Sequence, residues 1–310
     1  MANCSNWPIG FTPINDLGQS SYQGFQGGLY PGGRNASPPS HDAIGESTAK
    51  HIDPLNLAGI RDTVAGKIVF ALIGPSWINL VAPHFDAVAA EHANLLHPSL
   101  QIVNLGRGGK TIVELADPND GYWTTWVPNT LAGAGLSTAQ VQAGWILEGE
   151  RDMPGVFPAS AQKSQLYWEA AIANARAVLP NLKMLWLSPP AYMGYAQPPL
   201  SVGEPSYGEQ GFVVKWLVEK YINGGLPRLP FLKCGFYPWS DGAKPRATDD
   251  FQWNCPQDVI PDGIHSSQIG SEKLARAMFK LLMRDPCASR MFGGIARHDG
   301  GSAPGTTTHV

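Results

Sequence analysis

The first 65 residues carry no sustained alternation of apolar and polar positions, and regular patterning starts at Lys67. Lys67–Ile73 is a short apolar run, the pattern of a strand buried on both faces. Apolar residues then recur at helical spacing over Ile78–Leu96, at Leu80, Val81, Phe85, Val88, Ala89, Leu95 and Leu96. Further strands are predicted at Leu100–Leu105, Val141–Leu147, Leu182–Leu187 and, weakened by prolines, within Leu229–Phe236. Helices are predicted at Ala161–Leu179, with Leu166, Ile172, Ala175, Val178 and Leu179 inward, at Gln210–Ile222 and at Ser271–Met283.

Strands alternating with helices imply an α/β fold, a three-layer α/β/α sandwich around a central, mainly five-stranded parallel sheet. Ligands of such sheets sit beyond the carboxyl ends of the strands. The expected organisation is an irregular arm over 1–65 packed on the core, one catalytic domain over 66–292, and a disordered tail over 293–310.

Composition narrows the partners. A net charge of −3 with 15% charged residues gives no reason to expect nucleic acid or an anionic membrane surface. No apolar run approaches the about 20 residues that span a bilayer. The opening Met1-Ala2-Asn3-Cys4-Ser5 shows no signal peptide, which fits a cytoplasmic protein or a mature secreted one without its leader. The expectation is an extracellular or periplasmic protein, with a cytoplasmic one left open. Cys4, Cys234, Cys255 and Cys287 show no zinc-site spacing; a Cys234–Cys255 bridge is favoured, with free buried thiols as the alternative.

The candidate chemistry lies at strand ends. Ser76, in Gly74-Pro75-Ser76-Trp77, follows the first strand and opens a helix; as a residue type alone it reads first as a helix cap, and its position at the strand end favours the functional reading. Asp262 and His265 stand three apart before the last helix, where the bland reading is a turn and a solvated imidazole. Together they suggest a serine nucleophile, a histidine base and an orienting acid. Gly109 closes the second strand's exit and could offer a backbone N–H to an oxyanion beside that of Ser76, while Gly106 and Gly108 could make a simple turn.

These blocks, in this order, resemble the SGNH (GDSL-like) hydrolase superfamily: Gly74-Pro75-Ser76-Trp77, then Asn104-Leu105-Gly106-Arg107-Gly108-Gly109-Lys110-Thr111, then Asp262-Gly263-Ile264-His265. The resemblance implies a flavodoxin-like sandwich and a cofactor-free, metal-independent serine esterase. Its triad would be Ser76, His265 and Asp262, with the oxyanion at the N–H groups of Ser76 and Gly109. It also favours a small-molecule or glycan ester, acetylated carbohydrate included, as substrate. Two departures stand out. The usual Asp-Ser pair is Pro75-Ser76, and the third block, Glu148-Gly149-Glu150-Arg151-Asp152, lacks the asparagine that normally serves the oxyanion. Arg151 or Asn79 could substitute.

The loops after the fourth and fifth strands, carrying Tyr192, Met193, Tyr195, Tyr207, Tyr237 and Trp239, are expected to rim the cleft, with Tyr192, Tyr237 and Trp239 as substrate contacts. A second aromatic cluster, Phe236, Tyr237, Trp239, Phe251 and Trp253, supports a rival reading, a non-catalytic carbohydrate-binding protein with these rings as a stacking platform. A phosphate-binding loop at Gly109-Lys110-Thr111 fails because its first glycine would fall on Asn104.

Overall fold

The structure is a computed structural model that describes residues 1–5, 8–150, 155–197 and 204–293. Arg151, Asp152 and the tail expected to be disordered, beyond Gly293, lie outside the described residues. Five strands form one parallel sheet: β1 Ile68–Ile73, β2 Leu100–Asn104, β3 Val141–Leu147, β4 Met184–Ser188 and β5 Phe231–Cys234. Their spatial order is β2-β1-β3-β4-β5, the flavodoxin-like order. The sandwich expected from the sequence is therefore the fold the chain adopts. Every residue of β1, β3, β4 and β5 is buried, which explains their near-continuous apolar runs; β2, an edge strand, is partly exposed.

Six longer or site-forming helices matter here: α1 Pro39–Ala49, α2 Ser76–Glu91, α3 Ile112–Ala116, α4 Ala159–Val178, α5 Ser206–Ile222 and α6 Gln268–Arg284. α2 packs on α6, and α4 packs on both α3 and α5. Phe70 of β1 meets Phe85 of α2 at 6.5 Å between ring centres and Trp186 of β4 at 6.0 Å. α2 ends at Glu91, short of the predicted Leu96, and a separate 3₁₀ turn covers Ala93–Leu95. Leu166, expected inward, is 62% exposed; the buried face of α4 carries the expected Ile172 and Ala175 together with Trp168 and Ala171. Trp168, Ile172 and Ala175 fall four and three residues apart, the spacing of one helix face.

The N-terminal arm holds more regular structure than its sequence pattern suggests. It contains α1 and an antiparallel ribbon pairing Ser21–Tyr22 with Phe25–Gln26. Its attachments are tertiary: the N–H groups of Ile9 and Gly10 donate to Asp241 at 2.7 and 2.9 Å, and Phe11 meets Trp239 edge-on.

The disulfide joins Cys4 to Cys255, with Cα atoms 5.2 Å apart, and not Cys234 to Cys255 as expected. Cys234 lies within β5, where its Sγ donates to the Leu29 carbonyl at 3.2 Å, and Cys287 is likewise a free buried thiol. The arm brings Cys4 over, guided by the Asn3 N–H, which donates to the Tyr195 carbonyl at 2.8 Å. That contact spans the chain and leaves no trace in cysteine spacing.

Candidate active site

β1 and β3 are neighbours, and the strand order reverses between them, so their carboxyl ends border the topological switch point of the sheet. Ser76 follows the first of these ends and Glu148 the second. Gly74 makes the turn out of β1 possible because a side chain there would collide with the Leu147 carbonyl oxygen and with Ile78. Ser76 then occupies the first turn of α2, whose leading N–H groups have no intrahelical acceptors. Its side chain does not cap the helix. It donates instead to His265.

The loop after β2 is drawn alongside. The Leu105 N–H donates to the Leu72 carbonyl at 2.8 Å and the Arg107 N–H to the Gly74 carbonyl at 2.9 Å. Thr111 caps α3 in a reciprocal arrangement with Glu114, which anchors the far end of the loop. Between these fixed points Gly109 adopts φ +76°, a left-handed conformation suited to glycine.

The third segment is a turn after the aromatic loop. The Gly263 N–H donates to the Ile260 carbonyl at 3.0 Å, and the Ile260 N–H to that of His265 at 2.9 Å. Asp262 Oδ1 accepts the N–H groups of Ile264 and His265 at 2.8 and 3.0 Å. Its Oδ2 lies 2.6 Å from His265 Nδ1. A carboxylate can only accept, so Nδ1 carries the hydrogen and Nε2 is left to accept from Ser76. The Ser76 Oγ to His265 Nε2 distance is 2.7 Å. Burial raises the Asp262 pKa, but the hydrogen bonds from the His265 ring and from the two backbone N–H groups outweigh it, and the net shift is downward.

A cavity of about 370 Å³ opens over this chain of hydrogen bonds. Ser76, Gly109, Asp262 and His265 line it, with walls that include Trp77, Leu147, Pro190, Met193, Tyr207 and Ile264. Lys110, Thr111, Glu148 and Gly149 complete one side. Met193 and Tyr207 are thus at the cleft as expected, but Tyr192, Tyr237 and Trp239 are not among its lining residues. All three are at most 2% exposed and belong to the core. Tyr192 and Trp239 pack edge to face at 5.8 Å, and the Tyr237 hydroxyl donates to the Gly208 carbonyl at 3.2 Å. Phe236, Phe251 and Trp253 do not form an open platform either, because Arg246 lies over Phe236 and Phe251, and Trp253 is buried against Trp77.

Asn79, one suggested replacement for the missing asparagine, points elsewhere: its Oδ1 accepts from Asn104 Nδ2 at 3.2 Å, and it does not line the cavity. Arg151, the other, lies outside the described residues. Glu148 is the residue that sequence reading passed over. The signal available was its place directly after β3, at the same sheet edge as Ser76. Among the described residues, the one cluster with metal-ligand geometry is Asp42, Asp285 and Cys287. The Lys233 ammonium already fills it, 2.6 Å from each carboxylate.

No protein-family model matches the chain, and no curated protein matches it. Solved structures similar to it include an acetylxylan esterase from Geobacillus stearothermophilus, at 19% identity over 68% of this chain and 92% of that one, TM-score 0.35. An M. smegmatis aryl esterase is 13% identical over 70% of this chain and 99% of that one, TM-score 0.38. A carbohydrate acetylesterase from Xanthomonas citri is 14% identical over 66% of this chain but only 41% of its own length, TM-score 0.34. At such distances the site stands on its own geometry. In motif order and in sheet architecture, the chain resembles the SGNH-type hydrolases.

Proposed function

We propose that the protein is a serine esterase that cleaves carboxylic esters through an acyl-enzyme. The observation that carries this reading is the continuous hydrogen-bonded line Ser76 Oγ, His265 Nε2, His265 Nδ1, Asp262 Oδ2, with links of 2.7 and 2.6 Å, at the floor of a cavity. Ser76 Oγ bonds the ester carbon while His265 Nε2 takes its proton, and Asp262 holds the imidazole in the required tautomer and stabilises the cation that forms. The backbone N–H groups of Ser76 and Gly109 receive the negative charge on the former carbonyl oxygen. His265 returns its proton to the leaving alcohol, and water repeats the sequence to release the acid. These steps use side chains and backbone alone.

The cavity favours the acyl part of a small ester, since its walls are largely apolar and its volume of about 370 Å³ falls at the small end of ligand pockets. Acetylated carbohydrate is the substrate class to test first, as the motif resemblance suggests. The rival carbohydrate-binding reading loses its support, because, of the aromatics it required, Tyr237, Trp239, Phe251 and Trp253 are buried and Phe236 lies under Arg246. The Cys4–Cys255 disulfide is compatible with an extracellular or periplasmic location. Among the described residues no helix is long and apolar enough to cross a membrane.

The deciding experiment compares wild type with Ser76→Ala on nitrophenyl esters of graded chain length and on acetylated oligosaccharides. Turnover and labelling by a serine-directed phosphonate should both vanish in the variant while its circular dichroism is unchanged. Turnover that survives the substitution would remove Ser76 from the mechanism.

A further inference from the structure

β3 ends at Leu147, and the next side chain places a carboxyl at the cleft. Glu148 is 1% exposed and lines the same cavity as Ser76, Gly109 and His265. Its Oε2 accepts the Gly149 N–H at 2.9 Å. Its Oε1 is buried and has no hydrogen-bond partner among the described residues. A carboxylate oxygen left so would be costly, and no ammonium or guanidinium among the described residues pairs with it.

The groups around Glu148 do not favour its charge. Glu114 of α3 adds negative potential, and the Tyr122 hydroxyl, from the turn that follows α3, is close enough to feel the Glu148 carboxyl. Arg107 acts on that tyrosine. Lys110, which lines the same cavity, is bound to Asp120 at 2.7 Å, and Tyr207, Asp262 and His265 complete the titratable lining. Burial above all raises the Glu148 pKa well beyond the ordinary carboxyl range; the Gly149 N–H opposes this, and Glu114 adds to it. A buried Oε1 with no partner among the described residues and the negative charge of Glu114 both favour the protonated form over the carboxylate. A neutral carboxyl has one accepting and one donating oxygen. Oε2 already accepts, so the hydrogen belongs on Oε1, the atom without a partner.

We propose that Glu148 is a catalytic residue, a neutral carboxylic acid whose Oε1–H is the third donor to the oxyanion, in the place of the asparagine missing from Glu148-Gly149-Glu150-Arg151-Asp152. The proposal rests on the serine-esterase reading. As Ser76 Oγ bonds the ester carbon and its proton moves to His265 Nε2, the carbonyl π pair shifts onto oxygen. That oxygen accepts hydrogen bonds from the N–H groups of Ser76 and Gly109 and from Glu148 Oε1–H, whose proton stays on Glu148. Collapse restores the carbonyl and expels the alkoxide, which takes its proton from His265. An acid kept neutral by its surroundings can donate in this way, whereas its ionised form would lose the donor and set a second negative charge beside the first. Activity should accordingly have an alkaline limb that belongs to Glu148.

The test measures kcat and KM on 4-nitrophenyl acetate from about pH 6 to about pH 10 for wild type, Glu148→Gln and Glu148→Leu, with phosphonate labelling of Ser76 as a check on the rest of the site. Glutamine keeps both an acceptor for Gly149 and a donor for the oxyanion. It should hold kcat within about fivefold of wild type at neutral pH and abolish the alkaline limb. Leucine should lower kcat by roughly 10²–10³ with KM within about threefold. If the leucine variant does not fold, the glutamine pH profile decides alone. Wild-type turnover with an unchanged alkaline limb in Glu148→Gln, or with kcat of folded Glu148→Leu within about threefold, overturns the role of Glu148 only. Wild type inert to both ester and phosphonate overturns this role together with the esterase reading.

Discussion

Asp262 binds His265 at two points, its Oδ2 2.6 Å from the ring Nδ1 and its Oδ1 3.0 Å from the backbone N–H. One carboxylate therefore sets both the tautomer of the imidazole and the turn that presents it. In Asp262→Asn the side chain can offer an N–H to Nδ1, which favours the wrong tautomer, so kcat should fall by roughly 10³–10⁴ while the fold persists. A fall of less than about tenfold would show that another acceptor can orient the ring. The lowered Asp262 pKa also links to stability. This contribution is present above the unfolded carboxyl range and is lost as pH falls through the lower folded value. Denaturant midpoints should thus converge between wild type and variant in strong acid.

Gly263, between those two residues, has φ +72°, and a side chain there would run into the Tyr195 carbonyl. Gly263→Ala should cost about 1–3 kcal/mol of stability and lower kcat through displacement of His265. Urea midpoints and single-turnover rates check the two parts separately. A variant as stable and as active as wild type would show that the loop yields at no cost.

Glu204 accepts the Met193 N–H at 2.9 Å and the Trp239 indole N–H at 3.2 Å on each oxygen, yet burial dominates and raises its pKa to about 7. A raised acid binds its proton more tightly in the folded state. Stability should therefore decline as pH rises from the unfolded value toward about 7, and stay level above it. Glu204→Gln should flatten this decline. Thermal midpoints at about pH 5 and about pH 8 measure it, and equal slopes for both proteins would place the titration elsewhere.

The cysteines divide into one bridge and two shielded thiols. Cys234 and Cys287 are buried, chiefly by which their thiol pKa values are pushed up to about 12. A thiol reagent should find neither in the native protein and both after denaturation. Cys4→Ser should lower stability by about 2–5 kcal/mol, since the bridge closes nearly the whole chain. Rapid native labelling of Cys234 would contradict its place within β5.

What could be read from the chain alone was whatever local pattern decides. Runs such as Ile68–Ile73 and Val141–Leu147 must be buried on both faces wherever they pair, so the parallel sheet and its strand-end site were legible from periodicity. Asp262 and His265 were legible too, because three residues and one glycine suffice to turn a carboxylate onto a ring. Tertiary structure decided the rest. Ser76 and His265 meet across a separation of 189 residues, and only closure of the sheet and the packing of α2 against α6 bring them within hydrogen-bond reach. Cys4 pairs with Cys255 because the arm folds back; Tyr192, Tyr237 and Trp239 vanish into the core because segments distant in sequence cover them. The upward push on the Glu148 pKa has the same origin, since desolvation is a property of surroundings that no stretch of five residues can encode.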